Sequence, residues 1–214
     1  MHTIRVIGDV HEKYEDYLNI IKDCGHSVQI GDLGYNNSYI EKSVDCSRHK
    51  FFPGNHEDHK NDYSLKNCIG RYGSYTLNNI NFFYISGGFS IDWKQRKQAE
   101  LLGYKKTWFE NEELNYREGM DCLEQYEARK PNIVLSHEAP RFIVKEFTNG
   151  SILRNFGYDP ETFTTNTSEL LEQLYRIHQP ELYICGHYHR HWQRKIGKTL
   201  FIVLPELGYF DIWR

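Results

Sequence analysis

Five short apolar runs of this chain each end in side chains that bind metals. VIGDVH carries Asp9 and His11, QIGDLG carries Asp32, FFPGNHE carries Asn55 and His56, IVLSHEAP carries His137, and YICGHYH carries His187 and His189. Two carboxylates, one amide oxygen and four imidazoles, with His56 next to the amide, make a mixed nitrogen and oxygen donor set. Such a set suits Mn²⁺ first, with Fe or Zn²⁺ as alternatives, whereas Mg²⁺ and Ca²⁺ take all-oxygen shells. Seven donors exceed the needs of one ion. If one carboxylate bridges two ions, each ion receives four protein contacts and keeps positions open for water and substrate. Two divalent ions ~3.5 to 4 Å apart can activate a hydroxide and brace both oxygens of an in-line displacement at phosphorus. The chemistry expected is therefore phosphoester hydrolysis.

Donors so far apart in sequence need elements that gather them. In open α/β sheets, ligands collect outside the carboxyl ends of strands. The β-branched and aromatic runs at 3–7, 27–30, 50–53, 82–85, 133–135 and 182–185 are too short for helices and read as buried strands. Helical spacing lies between several of them, at 14–24, 110–128 and 167–178. Thr167 or Ser168 is the expected N-cap of the last helix, and Gly25 and Pro180 are stop signals. This alternation predicts an α/β fold. After Gly186 the pattern HWQRKI, a Gly-Lys turn, TLFIVL and YFDIW reads as antiparallel strands, so the sheet is expected to be mixed. Gly8, Gly31, Gly54 and Gly186 each directly precede a donor, as tight turns with close backbone approach require. The polar stretch 88–130 reads as an elaboration near the site.

Composition narrows the classes of function. At 214 residues the chain fits one domain. Its 26 Lys and Arg against 29 Asp and Glu, with a pI of about 6.4, argue against broad neutralisation of a nucleic-acid backbone as the main source of affinity. A mean hydropathy of −0.69 and the lack of a long apolar run predict no membrane span. The run that opens at Met1 has no basic n-region or apolar h-region, so a cytoplasmic location is expected. Five dispersed cysteines, Cys24, Cys46, Cys68, Cys122 and Cys185, predict reduced thiols. No repeat or linker divides the chain.

The blocks GDxH, GDxx, GNHE, SH and GHxH, in this order from Gly8 to His189, resemble those of the calcineurin-like metallophosphoesterases. The resemblance implies a four-layer α/β sandwich of two mixed β-sheets packed face to face and flanked by helices, as a single domain over 1–214. It also assigns the donors. One divalent ion would take Asp9, His11, Asp32 and His189, the other Asp32, Asn55, His137 and His187, with Asp32 as the bridge. His56 would stabilise or protonate the leaving oxygen.

Departures bear on the substrate. GDLGYN lacks a DRG continuation and FPGNHE lacks an Arg before Gly, which disfavours a protein Ser/Thr phosphatase. Glu12 stands where many relatives have Gly and is expected to narrow the substrate range. The segments GGFSIDW, KKTWFENEEL and SHEAPR resemble a bacterial and phage subgroup, and SHEAP is similar over five residues to a block of RNA lariat debranching enzymes. Arg96 and Arg141 are candidates for bidentate phosphate contacts, with plain salt bridges as the other reading. Trp93, Trp108 and Trp192 could stack on a base or pack in the core, and His59 and His191 are near enough in sequence to touch substrate. The expected partner is a phosphorylated small molecule, nucleotide or nucleic acid, with phosphodiesters ahead of phosphomonoesters and no membrane. Some relatives lose their ligands and serve as assembly subunits, so a non-catalytic scaffold is the alternative of another class. Oligomeric state is left open.

Overall fold

Period-two alternation builds the centre of the molecule, because successive side chains of a strand point to opposite faces. The computed structural model describes residues 2–148 and 150–214. Along β5 (Ile80–Ile85), Phe82 and Tyr84 face one core while Phe83 and Ile85 face another. The same division splits Ile133 and Leu135 from Val134 in β6 (Ile133–Ser136), and Ile184 from Tyr183 and Cys185 in β7 (Leu182–Cys185). In β9 (Thr199–Val203) it splits Ile202 from Phe201 and Val203.

These four parallel strands, with β4 (Tyr72–Leu77) and β8 (Trp192–Ile196) antiparallel at the edges, form a six-stranded sheet in the order β4-β5-β6-β7-β9-β8. The second sheet has four strands in the order β10-β1-β2-β3. There β1 (Thr3–Ile7), β2 (Ser27–Gln29) and β3 (His49–Phe51) run parallel, and β10 (Tyr209–Trp213) pairs antiparallel with β1. Between the sheets lie Ile4, Val6, Val28, Phe52 and Ile212 with Phe82, Leu135 and Ile184. On the outer face of the larger sheet pack α5 (Tyr116–Arg129), α6 (Arg141–Phe147) and α8 (Asn166–Ile177), whereas α1 (Tyr14–Ile21) and α2 (Asn37–Ser43) cover the smaller sheet. Two mixed sheets flanked by helices give the expected four layers.

Several boundaries differ from the sequence reading for local reasons. Helix α8 is capped by Thr165, not by Thr167 or Ser168: its Oγ1 accepts from the Ser168 amide, and the Ser168 hydroxyl returns to the Thr165 amide. The charged stretch 110–128 becomes helical only at Tyr116, because the Asn115 side chain and Glu118 close a capping box there. Strand β4 was not expected. It joins β5 through Asn78 and Asn79, both left-handed (φ 47° and 61°), the conformation of a two-residue hairpin turn. The last strand, β10, leaves the hairpin β8–β9 and crosses to the other sheet. All five cysteines are free, and no described helix is long and apolar enough to cross a membrane.

Candidate metal centre

Each donor follows the carboxyl end of a parallel strand: β1 leads to Asp9 and His11, β2 to Asp32, β3 to Asn55, β6 to His137 and β7 to His187 and His189. The loops converge so closely that glycine is required. A Cβ on Gly54 would stand 2.2 Å from Asp32 Oδ1, and one on Gly186 would stand 2.4 Å from Asp9 Oδ1. Among the described residues nine non-glycine positions have positive φ, and the donors His11, Asp32, His187 and His189 are four of them. Backbone held in a sparsely populated region clusters where surrounding structure enforces a function.

The donor atoms form two trios whose atoms lie within 4.8 Å of one another: Asp9 with His11 and His189, and Asp32 with His137 and His187. Asn55 joins the second, its Oδ1 2.9 Å from His137 Nε2 and 3.0 Å from His187 Nδ1. Asp32 lies between the trios, with Oδ1 3.4 Å from His137 Nε2 and Oδ2 3.8 Å from His11 Nε2. In the first trio His11 Nε2 and His189 Nε2 are 2.9 Å apart, and the buried Asp9 Oδ2 faces these same rings, His189 Nε2 at 3.0 Å and His11 Nε2 at 3.7 Å. Imidazole nitrogens and buried carboxylate oxygens aimed at common points fit divalent cations.

The chain matches the sequence profile described as Calcineurin-like phosphoesterase over residues 2–191, a range that contains all of these donors. The chain belongs to the calcineurin-like phosphoesterase family. Its fold is similar to TT1561 of Thermus thermophilus, with a TM-score of 0.56 at 13% identity over 96% of this chain and 90% of that one. It is also similar to the phosphopantetheinyl hydrolase from Mycobacterium tuberculosis, with a TM-score of 0.50 at 15% identity over 95% of this chain and 89% of that one. At such identities the likeness establishes architecture alone. No curated protein matches the chain. Family membership makes this calcineurin-like phosphoesterase a metal-dependent hydrolase of phosphoesters.

Electrostatics in the site follow from crowding. Burial disfavours the Asp32 carboxylate, but His137 and His56 beside it prevail and hold it well below the usual carboxylate range. Burial alone would depress His137; the Asp32 carboxylate overrides it and pushes the ring up to about 10. His187 goes the other way, down to about 3, through burial and the neighbouring His137 charge. The second trio thus holds a proton where a cation would sit, and ligation requires that proton to leave.

Side chains behind the donors set their orientation. His137 Nδ1 lies 3.0 Å from the Ile30 carbonyl, which turns Nε2 toward the site. Asn55 Nδ2 donates to Ser90 Oγ (2.9 Å), whose hydroxyl donates to Glu112 Oε2 (2.6 Å), so the Asn55 oxygen faces the imidazoles. Glu57, fully buried, accepts from the Asp32 amide (3.0 Å), the Gly34 amide (2.9 Å) and the Gly54 amide, and so ties the Asp32 loop to the Asn55 loop. His59, read as ordinary or substrate-facing, is a buried brace instead: its Nε2 lies 2.8 Å from the Gly54 carbonyl, and burial pushes it down to about 3. The sequence reading assigned no role to Glu57, Ser90 or Glu112, although the first two stand inside the GNHE and GGFS blocks.

The remaining candidates are placed unevenly. His56 Nε2 is 3.7 Å from Asp32 Oδ2 and 3.5 Å from an Arg96 nitrogen, its Nδ1 is unpartnered among the described residues, and burial holds the ring below its ordinary value. Arg96 reaches the site but is tied to Asp92 at 2.8 Å. Arg141 lines a cavity of about 750 Å³ that also touches Asp32, Asn55, His56 and His187. Glu12, left-handed at φ 63°, lies 3.6 Å from Lys105 Nζ and does not line that cavity. Trp93 and Trp108 pack on each other at 5.5 Å, and Trp192 packs on Phe147. His191 is exposed.

Proposed function

We propose that the protein is a two-metal phosphoesterase acting on nucleotide-type phosphoesters, diesters ahead of monoesters. The observation that carries this reading is the pair of donor trios meeting at Asp32. Asp9, His11, Asp32 and His189 would hold one divalent ion and Asp32, Asn55, His137 and His187 the other, with Mn²⁺ the best match to the mixed donors and Fe or Zn²⁺ next. When bound, such ions lower the pKa of a water and neutralise charge on the phosphoryl oxygens. Asp32 keeps both positions in register, while Glu57 and Ser90 hold its loop and the Asn55 amide in place. His56, beside Asp32 with one ring nitrogen unpartnered, hydrogen-bonds the leaving oxygen. The cavity next to the donors has the size of pockets that take drug-sized ligands, ~300 to 1,000 Å³, which supports a nucleotide-sized substrate.

Turnover of an aryl phosphate and an aryl phosphodiester with added Mn²⁺ tests the reading. Asp32→Asn should lose bound metal and more than about 100-fold of the rate. His56→Ala should spare activated aryl leaving groups and slow poor alkyl ones by ~10²-fold or more. A wild-type protein that hydrolyses neither ester with Mn²⁺, Fe or Zn²⁺ overturns it.

A further inference from the structure

The cavity beside the donors carries two cations that the protein leaves uncommitted. Arg141 and Lys145 both line it, one turn apart on α6. Among the described residues neither side chain makes an ion pair or hydrogen bond, whereas Arg96 is bound to Asp92, Arg190 donates to the Phe147 carbonyl and Arg194 pairs with Glu146. Like charges four residues apart on a helix repel, and Arg141 in the first turn also opposes the helix dipole. The carboxylates of the lining offer little relief. Asp32 belongs to the donors, Asp92 to Arg96, and Glu138 is buried with Thr165 Oγ1 at 2.6 Å, leaving Glu161.

Among Ser and Thr hydroxyls, the lining also presents an apolar stretch. Phe89 and Phe163 lie 5.8 Å apart, and Ile152, 56% exposed, adds aliphatic surface that no packing requires. A scissile phosphoryl group at the donors would fill one end of such a cavity. We propose that Arg141 and Lys145 form a second anion subsite, and that the substrate is an organic phosphoester bearing a second phosphoryl group on an aromatic body that lies against Phe89, Phe163 and Ile152. Guanidinium supplies the paired donors and ammonium the point charge that a phosphoryl dianion needs. This rests on the phosphoesterase reading above and assigns Arg141 to a phosphate other than the one cleaved.

Steady-state kinetics with Mn²⁺ on adenosine 5′-monophosphate and adenosine 3′,5′-bisphosphate test the proposal, with p-nitrophenyl phosphate as the probe of the underlying reaction. The bisphosphate should show a KM at least about tenfold below the monophosphate, and the ratio should fall to about one in Arg141→Gln/Lys145→Gln, with Lys145→Gln alone in between. A wild-type ratio near one, or a tenfold ratio kept by the double variant, overturns the subsite. If p-nitrophenyl phosphate, bis(p-nitrophenyl) phosphate and both nucleotides all resist hydrolysis, the phosphoesterase reading fails. Calorimetric binding of the bisphosphate then decides the subsite separately: weakening by about tenfold in the double variant supports it, and unchanged or absent binding removes it.

Discussion

The two donor trios have the same chemistry and different support. Around Asp32, His137 and His187 most donors are fixed from behind: His137 by the Ile30 carbonyl, the Asp32 carboxylate by the His56 amide at 3.0 Å, and Asn55 by Ser90, while the His187 ring meets Asn55 Oδ1 at 3.0 Å. Around Asp9, His11 and His189 the carboxylate is held by the His187 amide at 2.9 Å, but among the described residues the two rings have only each other and the nearby carboxylates. Exposure follows the same division. The His137 side chain is 0% exposed and that of His189 47%. Second partners on ligating imidazoles raise basicity and fix orientation, and losing them typically costs ~10- to 100-fold in metal affinity or activity. On the proposed two-metal reading, the inner trio would be the tight site and the outer trio the exchangeable one.

Removing a donor from each trio tests that contrast most strongly. His137→Ala should abolish the inner ion and lower turnover by more than about 100-fold, above the range for outer partners, with no recovery in excess Mn²⁺. Ser90→Ala comes next. The hydroxyl is the nearer partner of the Asn55 amide nitrogen, at 2.9 Å against 3.4 Å for His56 Nε2, so its loss should weaken the inner ion by about 10-fold and leave the outer one unchanged, as read by metal titration. His189→Ala should cost about tenfold and recover when Mn²⁺ is raised. Chelation of the wild type should follow the same order, one equivalent of metal leaving well before the second in a stopped-flow assay with a chromogenic chelator. Simultaneous release, or an inner ion that leaves first, would invert the assignment.

What sequence could and could not reveal follows a similar line. Donors at strand ends were legible because an apolar run, a glycine and a ligand are adjacent in the chain, and β1 and β7 have the bounds expected from their composition. The braces were not. Glu57 works through backbone amides of residues 32 and 34 on another loop, and a backbone amide leaves no trace in the identity of its residue. Ser90 and Glu112 meet across 22 positions, and neither type is distinctive alone. Strand β4 was missed because Gly73 and Ser74 weaken its pattern; the pair Asn78-Asn79, apt for a left-handed turn, was the available signal. The uncommitted charge of Arg141 and Lys145 could be recognised only once their surroundings were known.

The smallest effect on turnover is expected behind the inner trio. Helix α2 follows the Asp32 loop and α3 (His59–Asp62) follows the Asn55 loop, and the two are joined by Asn37 Nδ2 donating to Asp62 Oδ2 at 3.1 Å. Asp62 is 8% exposed, and burial pushes its carboxyl up to about 7 against the opposing Asn37 bond. In the unfolded chain it titrates near ~4. The folded protein therefore keeps this proton across a range where the unfolded chain has released it, so the contribution is complete below pH ~4 and disappears as pH rises through about 7. At ~1.4 kcal/mol for each tenfold difference in proton affinity, on the order of 4 kcal/mol is at stake over the full titration and somewhat less between pH 4 and 7.5. Asp62→Asn keeps an oxygen for Asn37 and has no proton to lose. Urea unfolding at pH 4, 5.5 and 7.5 should show the wild type losing about 3 kcal/mol relative to this variant, while Mn²⁺-supported turnover at pH 7 stays within about twofold because the inner donors are untouched. Parallel stability curves for the two proteins would place the Asp62 carboxyl in the ordinary range, and a fall in turnover would show that the α2–α3 link positions the inner trio directly.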